Sequence, residues 1–467
     1  MEARESGRKS GIPHSASLHA GYGSDFVGVA LRSVSLTAVG LAPPALPVCI
    51  SLERLRSALL WLTGVSGAFV FIEPSPYEYA SLLAIFVFAA TGLALRPGIM
   101  PLALLLVLYN IGFSLAAIPV LDTKTALWVC TSWYLAATAA FFAALIAEEP
   151  RRLAPVLRGT MVAAAIAAIA ALVGYSQIVP ALSDLFLRYG RARGTFNDPN
   201  VLGAFLIFPM LIAMGRIFAG GRGALRSCAL VALFASALLL SFSRGAWGQA
   251  AFAALLMMVL SFLTSRSGAA RLRILLIAGV GVALLGGLIV LLLSFESVSA
   301  LFAQRASFEQ GYDVGQFGRF GRHELGALLA LDHPLGLGPL QFRNFFFEDP
   351  HNAFLNAFIS GGWLSGLTYL GLMLVTLGVG LRYAFVATPW QSAYLAVYCA
   401  FAGTFAESLI IDSEHWRHFY LLTGALWGLM LASQRFVARA RPAAGSSLAP
   451  YRRAALSMAR RSVAQPG

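Results

Sequence analysis

"AARLRILLIAGVGVALLGGLIVLLLS", residues 269–294, opens with two arginines and then carries no charge to its end. An α-helix rises 1.5 Å per residue, so a run of this length spans the ~30 Å hydrocarbon core of a bilayer. Similar runs recur along the chain. Of its 467 residues 58% are hydrophobic and only 12% charged, against about 25% charged in ordinary soluble domains. In lipid every backbone N–H and C=O must be satisfied within its own segment, which selects helices. The reading is an all-α polytopic membrane protein. Twelve spans are expected, at 57–72, 77–95, 99–118, 125–147, 158–179, 198–217, 227–243, 246–264, 271–294, 353–383, 391–411 and 416–434.

Around these spans the chain divides into five parts. Residues 1–50 hold a polar tail and, over 26–50, a moderately apolar stretch with Arg32 and "PPALP", read as interfacial. The tail has no apolar core beside a cleavage site, so it is read as disordered and not as a signal peptide. The first helices occupy 51–180, a core with a long loop at 295–350 occupies 181–383, the last helices occupy 384–434, and 435–467 is a basic tail. The four cysteines (Cys49, Cys130, Cys228, Cys399) lie in apolar runs without metal or redox spacing, and read as small buried hydrophobes.

Charge in the short turns sets the orientation. One set of turns holds Arg54 and Arg56, then Arg96, then Arg151, Arg152 and Arg158, and continues so to Arg382 and the seven arginines from Arg435 onward. The opposite turns "IEPSPYE" and "PVLDTK" hold one lysine between them. Both termini are therefore expected to be cytoplasmic. The net charge of +13 is then a surface for anionic membrane lipid, not a nucleic-acid site.

Two outer segments break the pattern. Residues 180–197 hold Arg188, Arg191 and Arg193; residues 295–350 hold Arg305, Arg319, Arg322 and Arg343; a further outer turn holds Arg244. Guanidinium binds phosphate bidentately and stays charged at any relevant pH. Arginines retained on the side where topology disfavours them point to an anion site, with phosphate the first candidate.

Four outer stretches complete the pattern: "RARGTFNDPN" (191–200), "SFSRGAW" (241–247), "FGRHELGALLALDHPLGLGPLQF" (320–342) and "DPHNAFLNAF" (349–358). Their order, spacing and topology resemble the O-antigen ligase and polysaccharide polymerase family of bacterial inner-membrane proteins, over roughly residues 190–370. The resemblance implies a glycosyltransferase, without cofactor, that takes a glycan from undecaprenyl pyrophosphate at the periplasmic face. The acceptor is a hydroxyl, on lipid A core for a ligase or on a growing lipid-linked glycan for a polymerase. In the family an arginine of the Ser-Arg-Gly motif and one in the long loop hold the pyrophosphate, and a loop-end histidine serves as base or orienting group. Here these fall on Arg244, Arg322 and His351. Arg191 or Arg193 is the auxiliary contact, Arg319 stands against Arg322 as the loop arginine, and Asn352 beside the histidine completes the substrate-binding set. Arg322 lies 29 positions before His351 (351 − 322), a short loop for a ligase.

Residue chemistry leads the same way. A glycosyl pyrophosphate needs its leaving-group charge stabilised, which fixed guanidinium groups supply. The acceptor hydroxyl needs a proton acceptor, and His serves near neutral pH. Asp349 and Pro350 read as a helix start, which puts His351 in a first turn whose dipole disfavours imidazolium by ~0.3–1 kcal/mol. No Asp-x-Asp pair or His/Glu cluster with metal-ligand spacing stands in the outer segments, so the expectation is metal-independent transfer. His323 and His333 read as structural, and "DHPLGLG" as a turn re-entering the membrane surface. Glu407, His415 and His418 are reserve candidates for the base. A transporter or flippase for lipid-linked sugars is the alternative of another class. It would need inverted halves and broken, charged midplane helices.

Overall fold

The computed structural model describes residues 51–440 apart from 222, 307–314 and 316–317. The expected N-terminal tail and interfacial segment, and the tail beyond 440, lie outside the described residues. The chain forms α1 (Leu52–Ser66), α2 (Pro76–Ala90), α3 (Met100–Ala117), α4 (Thr123–Glu148), α5 (Leu153–Ser176) and the short α6 (Pro180–Phe186). A two-residue antiparallel pair follows, β1 (Leu187–Arg188) and β2 (Arg191–Ala192), with Leu187 opposite Ala192. Then come α7 (Pro199–Ala219), α8 (Ala224–Leu240), α9 (Arg244–Thr264), α10 (Gly268–Leu293), α11 (Glu296–Ala306), α12 (Arg319–Asp332), α13 (Ala353–Ala384), α14 (Gln391–Glu407) and α15 (Arg417–Ala440).

Among the described residues, eight helices are long and apolar enough to cross a membrane: those at α3, α4, α5, α7, α9, α10, α13 and α15. This is a multi-pass helical membrane protein. α2 and α8 are apolar but shorter. α1 and α14 have 15 and 17 residues and end well before the apolar runs that contain them, at Ser66 instead of residue 72 and at Glu407 instead of 411. Hydropathy marks where a chain is comfortable in lipid; the helix end is set by the local cap and turn.

The turns fall into two sets, one at each end of the bundle. At one end Arg56 of α1 donates to the carbonyl and hydroxyl of Thr91, both at 2.7 Å, and Arg152 reaches Glu53 at 3.8 Å. At the other, Val70 N–H donates to Thr195 O (3.1 Å), Ala353 N–H to Ser408 O (2.9 Å), and Arg417 to Glu78 (2.5 Å). The four motif stretches all belong to this second end. Of the cysteines, Cys399 is buried as expected, whereas Cys130 and Cys228 are exposed on outer flanks of α4 and α8. An apolar environment there means lipid, not protein core. Cys49 lies outside the described residues.

In its described residues the loop at 295–350 is more regular than its polarity suggests. It contains α11 and α12, and its second half docks on a break in α13. Gly362 has φ 72° and ψ −177°, so the helix opens there. Trp363 N–H, which would have donated to Ile359, donates instead to Pro334 O (2.9 Å). The freed carbonyls of Ile359 and Ser360 accept from Leu337 N–H (2.7 Å) and Gly338 N–H (3.1 Å). The "DHPLGLG" turn thus replaces the missing helical bonds, the condition under which non-helical backbone is tolerated at membrane depth. Gly336, at φ 83°, lies so close that a Cβ there would stand 2.5 Å from Gly362 N, and no side chain fits either position.

Candidate functional site

α12 is amphipathic, and its inward stripe runs Arg322, Gly326, Ala330, one residue in four. Spacing of four keeps these on one helix face. Gly326 packs on Leu355 and Ile359 of α13, and this contact carries Arg322 into the protein, where it is only 1% exposed. Its guanidinium donates to Glu348 Oε2 at 2.9 Å and to Asp349 O at 3.4 Å, and lies 5.0 Å from the Phe347 ring. Its Nε–H has no partner among the described residues. A buried cation this incompletely matched depends heavily on its one carboxylate.

Glu348 is half-exposed and is shared: His351 Nε2 stands 3.7 Å from the same Oε2. The other imidazole nitrogen, Nδ1, lies 3.0 Å from Asp412 Oδ2. The second oxygen of Asp412 accepts the backbone N–H of Asn352 at 3.1 Å. One carboxylate therefore fixes both the ring and the backbone beside it. This explains why His351 holds φ at 52°, a left-handed conformation that a non-glycine residue adopts only when its surroundings over-determine it. With Nδ1 held against Asp412, the ring turns Nε2 toward the Glu348 side.

The helix start differs from the sequence expectation. α13 begins at Ala353, and Asn352 is its cap, its side-chain oxygen accepting Leu355 N–H at 3.0 Å. His351 thus precedes the cap and does not sit in the first turn. Asp412 orients its ring, while Asp349 makes a two-pronged pair with Arg343. That bond raises the already high pKa of Arg343 further. The Asn352 side chain is committed to capping.

The remaining arginines sort by partner. Arg191 is 8% exposed and donates to Ser241 O and Asn200 Oδ1, both at 2.7 Å, tying β2 to the ends of α8 and α7. Arg193 donates to the carbonyls of Leu185 (3.1 Å) and Asp184 (3.3 Å) and closes its own loop. Arg244 is the first residue of α9, under the Ser243 cap. Its neighbour Gly245 packs on Glu407 and Ile410, in the turn whose Ser408 and Ile411 carbonyls receive Ala353 N–H. Arg244 therefore borders the His351 turn, while Arg191 and Arg193 belong to the hairpin. Arg319 opens α12 one turn before His323, on which its charge acts.

His323 Nε2 bonds Pro350 O at 2.7 Å, and burial lowers its pKa despite that bond. His333 Nδ1 bonds Leu329 O at 3.1 Å. Both serve the local fold. Beside the site Glu414, 4% exposed, accepts from the Asn356 side chain. Burial, with the charge of Asp412, raises its pKa well above the carboxylate range.

Sequence reasoning missed Asp412 and the shared position of Glu348. Asp412 lies 61 residues from His351, and no spacing rule joins them. Acids recur in the short outer turns, at Glu73, Glu78 and Asp122 as well, so nothing in the chain singled Asp412 out. The chain matches no known family model, and no curated protein matches it.

Proposed function

We propose that the protein is a glycosyltransferase of the bacterial inner membrane that moves a glycan from undecaprenyl pyrophosphate to an acceptor hydroxyl at the periplasmic face. Ligation to lipid A core is the preferred reaction and extension of a lipid-linked glycan the second. The reading also takes twelve spans and cytoplasmic termini. The observation that carries it is the shared carboxylate. Glu348 occupies one anion position contacted by a buried guanidinium and lying 3.7 Å from an imidazole that is oriented from behind by Asp412.

In the reaction a pyrophosphate oxygen takes the place of the Glu348 carboxylate on Arg322. The unspent Nε–H of Arg322 then gains a partner, and Arg244 approaches from the α9 side. The acceptor oxygen attacks the anomeric carbon as the bond from that carbon to the pyrophosphate oxygen breaks. The hydroxyl proton passes to His351 Nε2, and the electron pair leaves with undecaprenyl pyrophosphate, whose charge the guanidinium groups stabilise. Asp412 holds the imidazole in the accepting tautomer and stabilises the imidazolium that forms, as the acid of a catalytic triad does.

Purified protein incubated with undecaprenyl-pyrophosphate glycan and candidate acceptors tests this. His351→Ala should bind donor and lose transfer by about 10²–10⁴-fold. Wild-type transfer rates from His351→Ala would overturn the assignment. Cysteine placed at Glu324, in a background without native cysteines, should react with an impermeant thiol reagent from outside. One at Arg158 should not; equal labelling would refute the sidedness.

A further inference from the structure

A cavity of about 190 Å³ opens beside the site, between α1, α5, α7 and α15. It exists because α1 stops at Ser66 and turns back into α2, so this hairpin leaves a hollow under the outer turns. Its depth is apolar, with Val156, Val201 and Phe205 in the wall. Its mouth is formed by Asn197 and Asp198 before α7, by Glu73, and by the run His415–Trp416–Arg417–His418. That run follows Asp412 and Glu414 directly, so cavity and candidate site share one turn.

Charge decides what the cavity can hold. Among the described residues Arg417 is the one permanent cation in its lining. It is spent on Glu78 (2.5 Å) and Glu73 (3.5 Å). Burial and the Arg417 charge push the His415 pKa down to about 3, so that ring adds no positive charge. Asp198 adds a further carboxylate, which caps α7 through Asn200 N–H at 2.7 Å. The rim is thus electronegative and unsuited to a pyrophosphate. Rings supply the other half of the surface. Phe196 and Phe205 stand 5.0 Å apart and Trp416 and His418 5.1 Å apart. Tyr77 and His418, both more than nine-tenths buried in the wall, each carry a polar atom with no partner among the described residues. Aromatic faces beside carboxylate, amide and imidazole groups suit a molecule that is apolar on its C–H faces and hydroxylated at its edge.

The geometry points to this cavity as the subsite for an uncharged pyranose of the acceptor, separate from the arginine site that takes the charged donor. The assignment to the acceptor rests on the transferase reading; binding of a neutral sugar does not.

Saturation-transfer NMR on the full chain tests it, in a detergent without a sugar headgroup, with methyl glucopyranoside as probe and inorganic pyrophosphate as competitor. Wild type should transfer saturation to the glycoside. Val201→Trp, which fills the cavity, and Asn197→Ala, an exposed change, should each weaken binding at least tenfold. Arg322→Lys should leave it unchanged, and pyrophosphate should not compete. No signal from wild type, an equal signal from Val201→Trp, or displacement by pyrophosphate would overturn the subsite. In the transfer assay Val201→Trp should raise the acceptor KM with donor binding unaltered. If transfer occurs and that KM is unmoved, the acceptor assignment falls while the transferase reading stands. If no transfer occurs but Val201→Trp abolishes glycoside binding, the transferase reading falls and the sugar site stands.

Discussion

The hairpin at 187–197 and the loop end at 319–352 both carry arginines outside the main run of basic turns, and the two regions use them differently. Arg191 and Arg193 donate mainly to backbone carbonyls. Those acceptors are fixed backbone groups, and breaking the Arg191–Ser241 bond would strand a buried C=O. Arg322 and Arg343 donate to carboxylates on flexible stems. A carboxylate side chain can swing into water and be replaced by a phosphate oxygen of the same charge and geometry. On the proposed function, a guanidinium on carbonyls serves as a structural tie, and one on a half-exposed carboxylate as an exchangeable anion site. Residue type alone did not distinguish them.

The sharpest break of this comparison is the same change made on both sides of it. Arg322→Lys keeps charge but loses the fork, and we expect transfer to fall by about 10²–10³-fold, as for loss of one transition-state donor. Combined with Arg244→Lys the loss should be less than the product of the two, because both act on one leaving group. Arg191→Lys should instead lower thermal stability by about 2 kcal/mol through its orphaned carbonyl and amide partners, with donor affinity of the folded protein unchanged. If Arg191→Lys weakens donor binding and Arg322→Lys does not, the division is reversed.

Asp412→Asn tests whether His351 needs its orienting carboxylate. Transfer should fall by about 10²-fold from misplacement of the ring, with donor binding intact. A silent change would make Asp412 a capping partner of Asn352 alone.

Gly362→Ala probes the docking of the loop end. The added Cβ would stand 2.6 Å from Leu335 C at φ 72°, and we expect a loss of about 1–3 kcal/mol. Proteolysis within 320–350 should quicken, while cleavage near the hairpin should not.

The smallest effect concerns pH. Glu414 binds its proton more tightly folded than unfolded, so stability is full at acid pH and falls as pH rises above the ordinary carboxylate value of 4.5. Glu414→Gln should flatten that decline in thermal melting; a melting profile with the same slope would place the dependence elsewhere.

Membrane character was decided by composition and run length, since the bilayer's thickness fixes how many apolar residues a helix needs. Composition also told the two ends of the bundle apart, because arginine is unevenly distributed between alternate turns. His351 could be singled out because a polar residue in so apolar a chain is conspicuous. The sequence could not say that α13 starts after His351, because "DP" is an equally good helix start. The choice was made by Asp412, which reaches back 61 residues to hold both the ring and the next N–H. Nor could it separate tie from site among the outer arginines. That depends on which acceptor the fold brings within hydrogen-bonding reach of each guanidinium, and such meetings between distant segments have no period or spacing in the chain. Likewise, burial of Arg322 follows from Gly326 letting α12 approach α13, a contact that only the tertiary structure creates.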